Sequence, residues 1–458
     1  MVRARGPTYR SPQTRHAPKT SRMPTTALLH VGLAACTALA PPPAATRPVP
    51  RGAAPPQDTQ AAPIEGIRFG YSLLVLDDRT GDGVPELAVG APAAKLGEER
   101  ARPGVVLVLS GADRSVVQEW RGEAERGLFG HALRPVGDLD GDGHGDVIVG
   151  YEKGARCEVR SGQTGARLHA FDRTWSDVLA LGDLDEDGAD DLLLVDGADI
   201  EVRSGVDASL LHQGTLYGTT RAMGAGDLDG DGLTDLVTEG EAKQLWLSGR
   251  GAEDDRGPLG LFSRKSRRAL SELWPEESWS AGVRILAVEP AGDLDGDGHA
   301  DLWITLSEGK SGRVLALSPA HGLPLAAIEG PAGFGHTLLV PGDLNGDGTA
   351  DIVVAQEVAP FLVQLRAHSG ADGAELWHQT WDDGGMTVLP QLASLPPAET
   401  GGVPQVLVSG CDYRWHGWVQ RNGFLQCMGG DTGEVRWRVE VDDVRPVGAQ
   451  QDADSIYR

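Results

Sequence analysis

From residue 64 onward, short apolar runs such as Val147-Ile148-Val149 and Ile352-Val353-Val354 stand between clusters of glycine and aspartate. Runs of this length bounded by turn residues are strand signals, so the pattern predicts an all-β fold with many tight turns. The runs also recur in a fixed order. An alternating segment comes first, opened in three places by Phe69-Gly70, Phe129-Gly130 and Phe334-Gly335. An acidic phrase and a second apolar strand follow. A third strand ends on a Ser-Gly turn, as at Ser161-Gly162, Ser248-Gly249 and Ser369-Gly370, and a fourth carries Leu, Val or Trp. Four short antiparallel strands per repeat describe propeller blades, with the acidic phrase in the loop between the first two strands.

The acidic phrase carries the chemistry. Its five clear copies hold acids or amides at places one, three, five and nine: Asp138, Asp140, Asp142 and Asp146; Asp183, Asp185, Asp187 and Asp191; Asp227, Asp229, Asp231 and Asp235; Asp293, Asp295, Asp297 and Asp301; Asp343, Asn345, Asp347 and Asp351. A sixth copy, Asp78, Thr80, Asp82 and Glu86, places threonine third. The first residues of successive copies lie 60, 45, 44, 66 and 50 positions apart, a unit of roughly fifty residues with insertions. Place six is glycine throughout, which permits a sharp turn. Place seven varies freely among Val84, His144, Ala189, Leu233, His299 and Thr349, as expected where only the backbone carbonyl is used. Such oxygen-only loops resemble the front half of an EF-hand and select Ca²⁺ over Zn²⁺ or Mg²⁺, so up to six calcium ions are expected. A seventh unit keeps its later half, Val406 to Gly410 and Gly429 to Trp437, but residues 397–405 contain no aspartate.

Composition separates the N-terminus from the rest. The first 63 residues hold 12 of the 29 prolines and a charge of +7, leaving −32 of the total −25 on the remainder. A balance so acidic excludes a nucleic-acid partner, whose phosphates need a basic face. Six basic residues before position 23, followed by apolar Ala27 to Ala40, read as a signal peptide over 1–40. Two cleavage readings stand: a lipobox at Leu33-Ala34-Ala35-Cys36, with a lipid anchor on Cys36 as the sole membrane attachment, or an ordinary site at Ala38-Leu39-Ala40. Residues 41–63 are a Pro/Ala-rich linker expected to lack a core, 64–442 the propeller, and 443–458 a tail. Cys411 and Cys427 end neighbouring strands, which leaves open either a cross-strand disulfide or two free thiols.

Phe-Gly, the Asp-x-Asp-x-Asp-Gly loop and an apolar strand ending near glycine together resemble the FG-GAP repeat of integrin α subunits and many bacterial exported proteins. The resemblance implies a seven-bladed propeller with calcium on one face and partner contacts elsewhere on the disc. It implies a non-catalytic adhesion scaffold, at the cell surface, in the periplasm or outside the cell, for an extracellular or envelope protein or glycan. This chain departs from integrin α heads in carrying calcium-type loops in six consecutive units, and Gly-Ala-Pro survives only at Gly90-Ala91-Pro92. An enzyme reading draws on the Gly373…Trp377 and Gly433…Trp437 spacings, which resemble quinoprotein repeats, and on calcium-rich propeller polysaccharide lyases. Outer-strand packing is the better explanation of both tryptophans, and no catalytic motif is present. Between the fourth and fifth acidic loops, residues 251–280 add Arg264, Lys265, Arg267 and Arg268 with Phe262, Trp274 and Trp279, either a solvated insertion or a docking site for an anionic partner.

Overall fold

The computed structural model describes residues 69–440 apart from 93–103, 123–127, 152–155, 172–174, 176, 217, 241–242, 247–266, 271–281, 322, 332, 360–361, 382–389, 398–401 and 411–422. The expected signal peptide, Cys36, the linker, the C-terminal tail, the turn at Ser248-Gly249 and most of the basic stretch lie outside the described residues.

Seven antiparallel four-stranded sheets form the blades of a β-propeller, each built from four strands consecutive in sequence. Blade 1 comprises β1 (Ser72–Val75), β2 (Leu87–Ala91), β3 (Val105–Leu109) and β4 (Val116–Arg121). Its two middle strands are buried on both faces, which is why they read as unbroken Leu/Val/Ala runs, whereas β4 alternates buried and exposed positions. The first strands of the other blades are Ala132–Val136, Asp177–Gly182, Thr219–Gly226, Val283–Gly292, Thr337–Gly342 and Gln391–Leu395. They adjoin in sequence around the ring, and the seventh lies against β1, which closes it.

No blade holds its own core. The apolar clusters lie between neighbours: Phe69, Leu87, Val105 and Leu107 of blade 1 pack with Leu407, Leu425 and Cys427 of blade 7, while Trp303 and Val314 of blade 5 pack with Ile352 and Val354 of blade 6. Each fully buried side chain of this kind contributes about 1.5–3 kcal/mol, so a blade is stable only between two others. The Phe-Gly corner is the local device that joins them. Phe69, Phe129 and Phe334 are essentially unexposed. Gly70 has φ +81°, and a Cβ there would come within 2.6 Å of the Phe424 carbonyl oxygen and 2.9 Å of that of Gly410, both in blade 7. Ser409 Oγ completes the seam by donating to the Gly70 carbonyl at 3.0 Å.

Outer-strand tryptophans act the same way. Trp120 of blade 1 lies against Gly165 in blade 2, and Trp377 of blade 6 lies against Gly433 in blade 7 while its Nε1 donates to Gly430 O at 2.6 Å. Trp437 of blade 7 sits under Arg114 of blade 1, 5.3 Å from ring centroid to guanidinium. The Gly-x-x-x-Trp spacing is therefore blade-to-blade packing. Cys427 is a free, buried thiol donating to Gln405 Oε1 at 2.9 Å, and Cys411 lies outside the described residues. One sequence expectation needs correction. Arg267–Ala269 is not loop but the outer strand of blade 4, paired with Gln244–Trp246, so the insertion is shorter than its sequence suggests.

Candidate metal centres

The hairpin joining the first two strands of each blade turns at the same end, so six acidic loops share one face of the ring. Neighbouring loops are tied directly: Asp77 Oδ2 accepts the Gly145 N–H of the next blade at 2.7 Å, Asp190 Oδ2 accepts that of Gly137 at 3.1 Å, and Leu181 O accepts that of Thr234 at 2.7 Å.

Within a loop the carboxylates divide the work. The first aspartate organises the turn: Asp138 Oδ1 accepts the Gly141 N–H and Oδ2 the Gly143 N–H, each at 2.7 Å. Asp78, Asp227, Asp293 and Asp343 repeat the pattern. The Gly83 N–H is the main reason that the Asp78 pKa is lowered, and Gly298 does the same for Asp293. Asp183 likewise holds the Asp187 and Gly188 N–H groups, and its place four is Glu186, at φ +63° in the left-handed region that glycine occupies in the other loops. The fifth aspartate turns one oxygen to the seventh N–H: Asp82 to Val84, Asp142 to His144, Asp187 to Ala189, Asp231 to Leu233, Asp297 to His299 and Asp347 to Thr349.

The ninth acid is wholly buried and anchors the loop to the blade. Asp146 Oδ2 accepts the Leu139 N–H at 2.8 Å, and Oδ1 accepts the N–H of Gly162 in the Ser-Gly turn at 2.9 Å. Asp191 binds Leu184 and Gly205 likewise, and Asp351 binds Leu344 and Gly370. Asp235 and Asp301 take the N–H groups of Leu228 and Leu294. Burial pushes the Asp146, Asp191, Asp301 and Asp351 carboxyls up, with Asp191 reaching about 6, and the neighbouring loop aspartates add to the effect. The loop thus confines negative charge that backbone N–H groups only partly offset.

The donor atoms converge. Carboxylate oxygens of Asp138, Asp140 and Asp146, of Asp183, Asp185 and Asp191, and of Asp227, Asp229 and Asp235 lie within 4.8 Å of one another, as do those of Asp78, Asp82 and Glu86. Asp231 Oδ2 is buried and accepts no hydrogen bond. An oxygen-lined cradle with an orphaned carboxylate oxygen fits a hard divalent cation. In the sixth loop the Asn345 side-chain amide donates to Asp347 Oδ2 at 2.8 Å, standing where a cation would neutralise the same oxygen.

Two site residues escaped sequence reasoning. Arg79 occupies place two of the first loop, where the others have leucine; half-buried, it donates to Gly145 O at 3.2 Å among Asp77, Glu86, Asp142 and Asp146. In the same loop the Thr80 hydroxyl donates to Glu86 Oε1 at 2.9 Å, so this loop already has a fixed cation nearby and one acid occupied. His321 is the second: it stands over the fifth loop, with Nδ1 3.1 Å from Asp295 Oδ2 and 3.2 Å from Asp297 Oδ2.

The FG-GAP repeat family matches residues 69–109, and the FG-GAP-like repeat family matches 293–354. Integrin alpha-7 of Rattus norvegicus is 30% identical over 271 residues, covering 57% of this chain and 21% of that protein. Integrin alpha-V of Gallus gallus is 28% identical over 153 residues, 29% of this chain and 14% of that protein. The chain therefore spans about a fifth or less of the length of these integrins. Among solved structures, the V. cholerae biofilm matrix protein Bap1 overlays with a TM-score of 0.41 at 14% identity, covering 80% of this chain and 79% of that one. Both matched stretches fall on the Phe-Gly corner or acidic loop and the strands that follow it, so the chain carries FG-GAP repeats in a seven-bladed β-propeller similar to the integrin α chains.

Proposed function

We propose that this protein is an exported, calcium-loaded propeller that acts as a non-catalytic adhesion scaffold for an extracellular or envelope protein or glycan. The observation that carries the reading is the ring of acidic loops on one face, each holding several carboxylates against a buried ninth acid. Calcium would be held by the side chains at places one, three, five and nine with the carbonyl at place seven: Asp138, Asp140, Asp142, His144 and Asp146 in blade 2, and the matching residues of blades 1 and 3 to 6. A bound ion would neutralise the carboxylates of the loop; the chain's own part is to fix those oxygens through the glycine N–H groups. Integrin α chains are the named relatives, and their resemblance favours binding over catalysis. On the Cys36 reading of the leader, residues 37–63 would tether the propeller to a membrane. The test is a pull-down from cell-envelope extract on immobilised protein. A partner should be retained in millimolar Ca²⁺ and released by EDTA; an identical retained set with and without chelator would refute a calcium-organised binding face.

A further inference from the structure

We propose that the fifth-blade loop is a mixed nitrogen–oxygen site, built from Asp295, Asp297, Asp301 and His321, that takes a borderline divalent transition ion of the Zn²⁺ class in preference to Ca²⁺. The proposal rests on the reading of the loops as cation sites and concerns what distinguishes this one.

The difference begins in the turn after the third strand. In blades 1, 2, 3 and 6 that turn reads Ser110-Gly111-Ala112-Asp113, Ser161-Gly162-Gln163-Thr164, Ser204-Gly205-Val206-Asp207 and Ser369-Gly370-Ala371-Asp372. The glycine N–H is the donor that satisfies Oδ1 of the ninth aspartate in blades 2, 3 and 6. The fourth residue bonds back into its own turn: Asp113 accepts the Ser115 N–H, Thr164 that of Ala166, Asp207 that of Ser209 and Asp372 that of Ala374. Blade 5 has Ser318-Pro319-Ala320-His321 instead.

Both replacements change the site. Proline has no N–H, so Asp301 Oδ1 loses the donor its counterparts use. Asp301 is fully buried, and that oxygen accepts no hydrogen bond of adequate geometry, although the Ser318 hydroxyl favours its charged form. Asp295, Asp297 and His321 offer ligand atoms within 4.8 Å of one another, and Asp301 feels the charges of Asp295 and Asp297. His321, in place of a turn-forming aspartate or threonine, swings its ring over the loop and sets Nδ1 against one oxygen of each of those two residues. Asp297 Oδ2 has no hydrogen bond of adequate geometry apart from this ion-pair contact. Ligand atoms bound to one ion at 2.0–2.2 Å lie about 3.0–3.5 Å apart, and the 3.1 and 3.2 Å separations fall in that interval. Calcium prefers oxygen at longer range, whereas an imidazole beside carboxylates suits zinc and its neighbours.

The test uses tag-free, metal-stripped full-length protein titrated calorimetrically with Zn²⁺ in millimolar Ca²⁺. One equivalent of zinc should bind, at least tenfold more weakly in His321→Asn and unchanged in His378→Asn, which removes an exposed imidazole on the outer strand of blade 6. Zinc binding that is equally tight in His321→Asn would overturn the proposal. So would calcium occupancy of all six loops without a zinc equivalent, a result that leaves the calcium reading intact. Failure of both ions to bind would sink the two readings together.

Discussion

Removing divalent cations with EDTA is expected to lower the melting temperature by about 10 °C. If each loop binds calcium with Kd near 0.1 mM and free calcium is near 1 mM, linkage gives about 1.4 kcal/mol per site, or about 8 kcal/mol for six independent sites. With an unfolding entropy of about 2.1 cal/mol/K per residue, a domain of this size shifts by about 1 °C per 0.8 kcal/mol. The metal-free protein should also respond to pH in the opposite sense from most proteins. Asp146, Asp191, Asp301 and Asp351 have folded pKa values above their unfolded ones, Asp191 about 6 against 3.8. Their protonated forms suit the folded state, so their contribution is complete below the unfolded value and disappears as pH rises through the folded value. Metal-free protein should therefore melt a few degrees higher at pH 5 than at pH 7.5, and calcium-loaded protein should not. Scanning calorimetry at the two pH values, with and without calcium, reads both effects; a melting curve indifferent to EDTA would remove the cation from the account of stability.

The second large effect separates the anchoring acid from the other ligands. Asp146→Ala strands the Leu139 and Gly162 N–H groups inside the blade, each at a cost of about 1–3 kcal/mol. Against this, the substitution also removes a carboxylate disfavoured by burial and by Asp140 and Asp142. A net loss of about 3 kcal/mol is expected even in EDTA. Asp140→Ala removes an exposed side chain whose hydrogen bond is a 3.2 Å contact from the Asp142 N–H, and should cost within about 0.5 kcal/mol in EDTA. In calcium both variants should lose the blade 2 site. Urea unfolding in EDTA decides the matter, and equal losses for the two variants would mean that the ninth acid is only a ligand.

Much of this was legible in the sequence because it is local. Places one, five, six and nine of each loop lie within nine residues, and the glycines that the turn requires are spelled out, so Asp138 to Asp146 could be read as a cradle before any fold was known. The blade count followed from the same repeat, since Val406–Gly410 and Gly429–Trp437 identified blade 7 without its acidic loop. What could not be read depends on contacts between segments far apart. Arg79 looks like an ordinary departure from leucine until Gly145, in the next blade, is seen to accept from it. His321 follows the fifth loop by twenty residues, and its only signal was proline where Ser-Gly is the rule. The dual role of the ninth acid was likewise hidden, because its Ser-Gly partner comes from the turn after the third strand, outside the nine-residue phrase. The strand at Arg267–Ala269 was missed because a three-residue basic segment has no apolar alternation to mark it.

Counting bound calcium on the intact protein tests the central claim most directly. Metal-stripped protein re-equilibrated with calcium in zinc-free buffer, then measured by native mass spectrometry, should retain about four tight equivalents, from blades 2, 3, 4 and 6. Up to about two weaker ones should follow, from the Thr80 loop of blade 1 and the His321 loop of blade 5. Asp185→Ala should lose one tight equivalent and Thr80→Ala none. A protein that binds one calcium ion or none, or a count unchanged by Asp185→Ala, would contradict the reading of these loops as a ring of calcium sites.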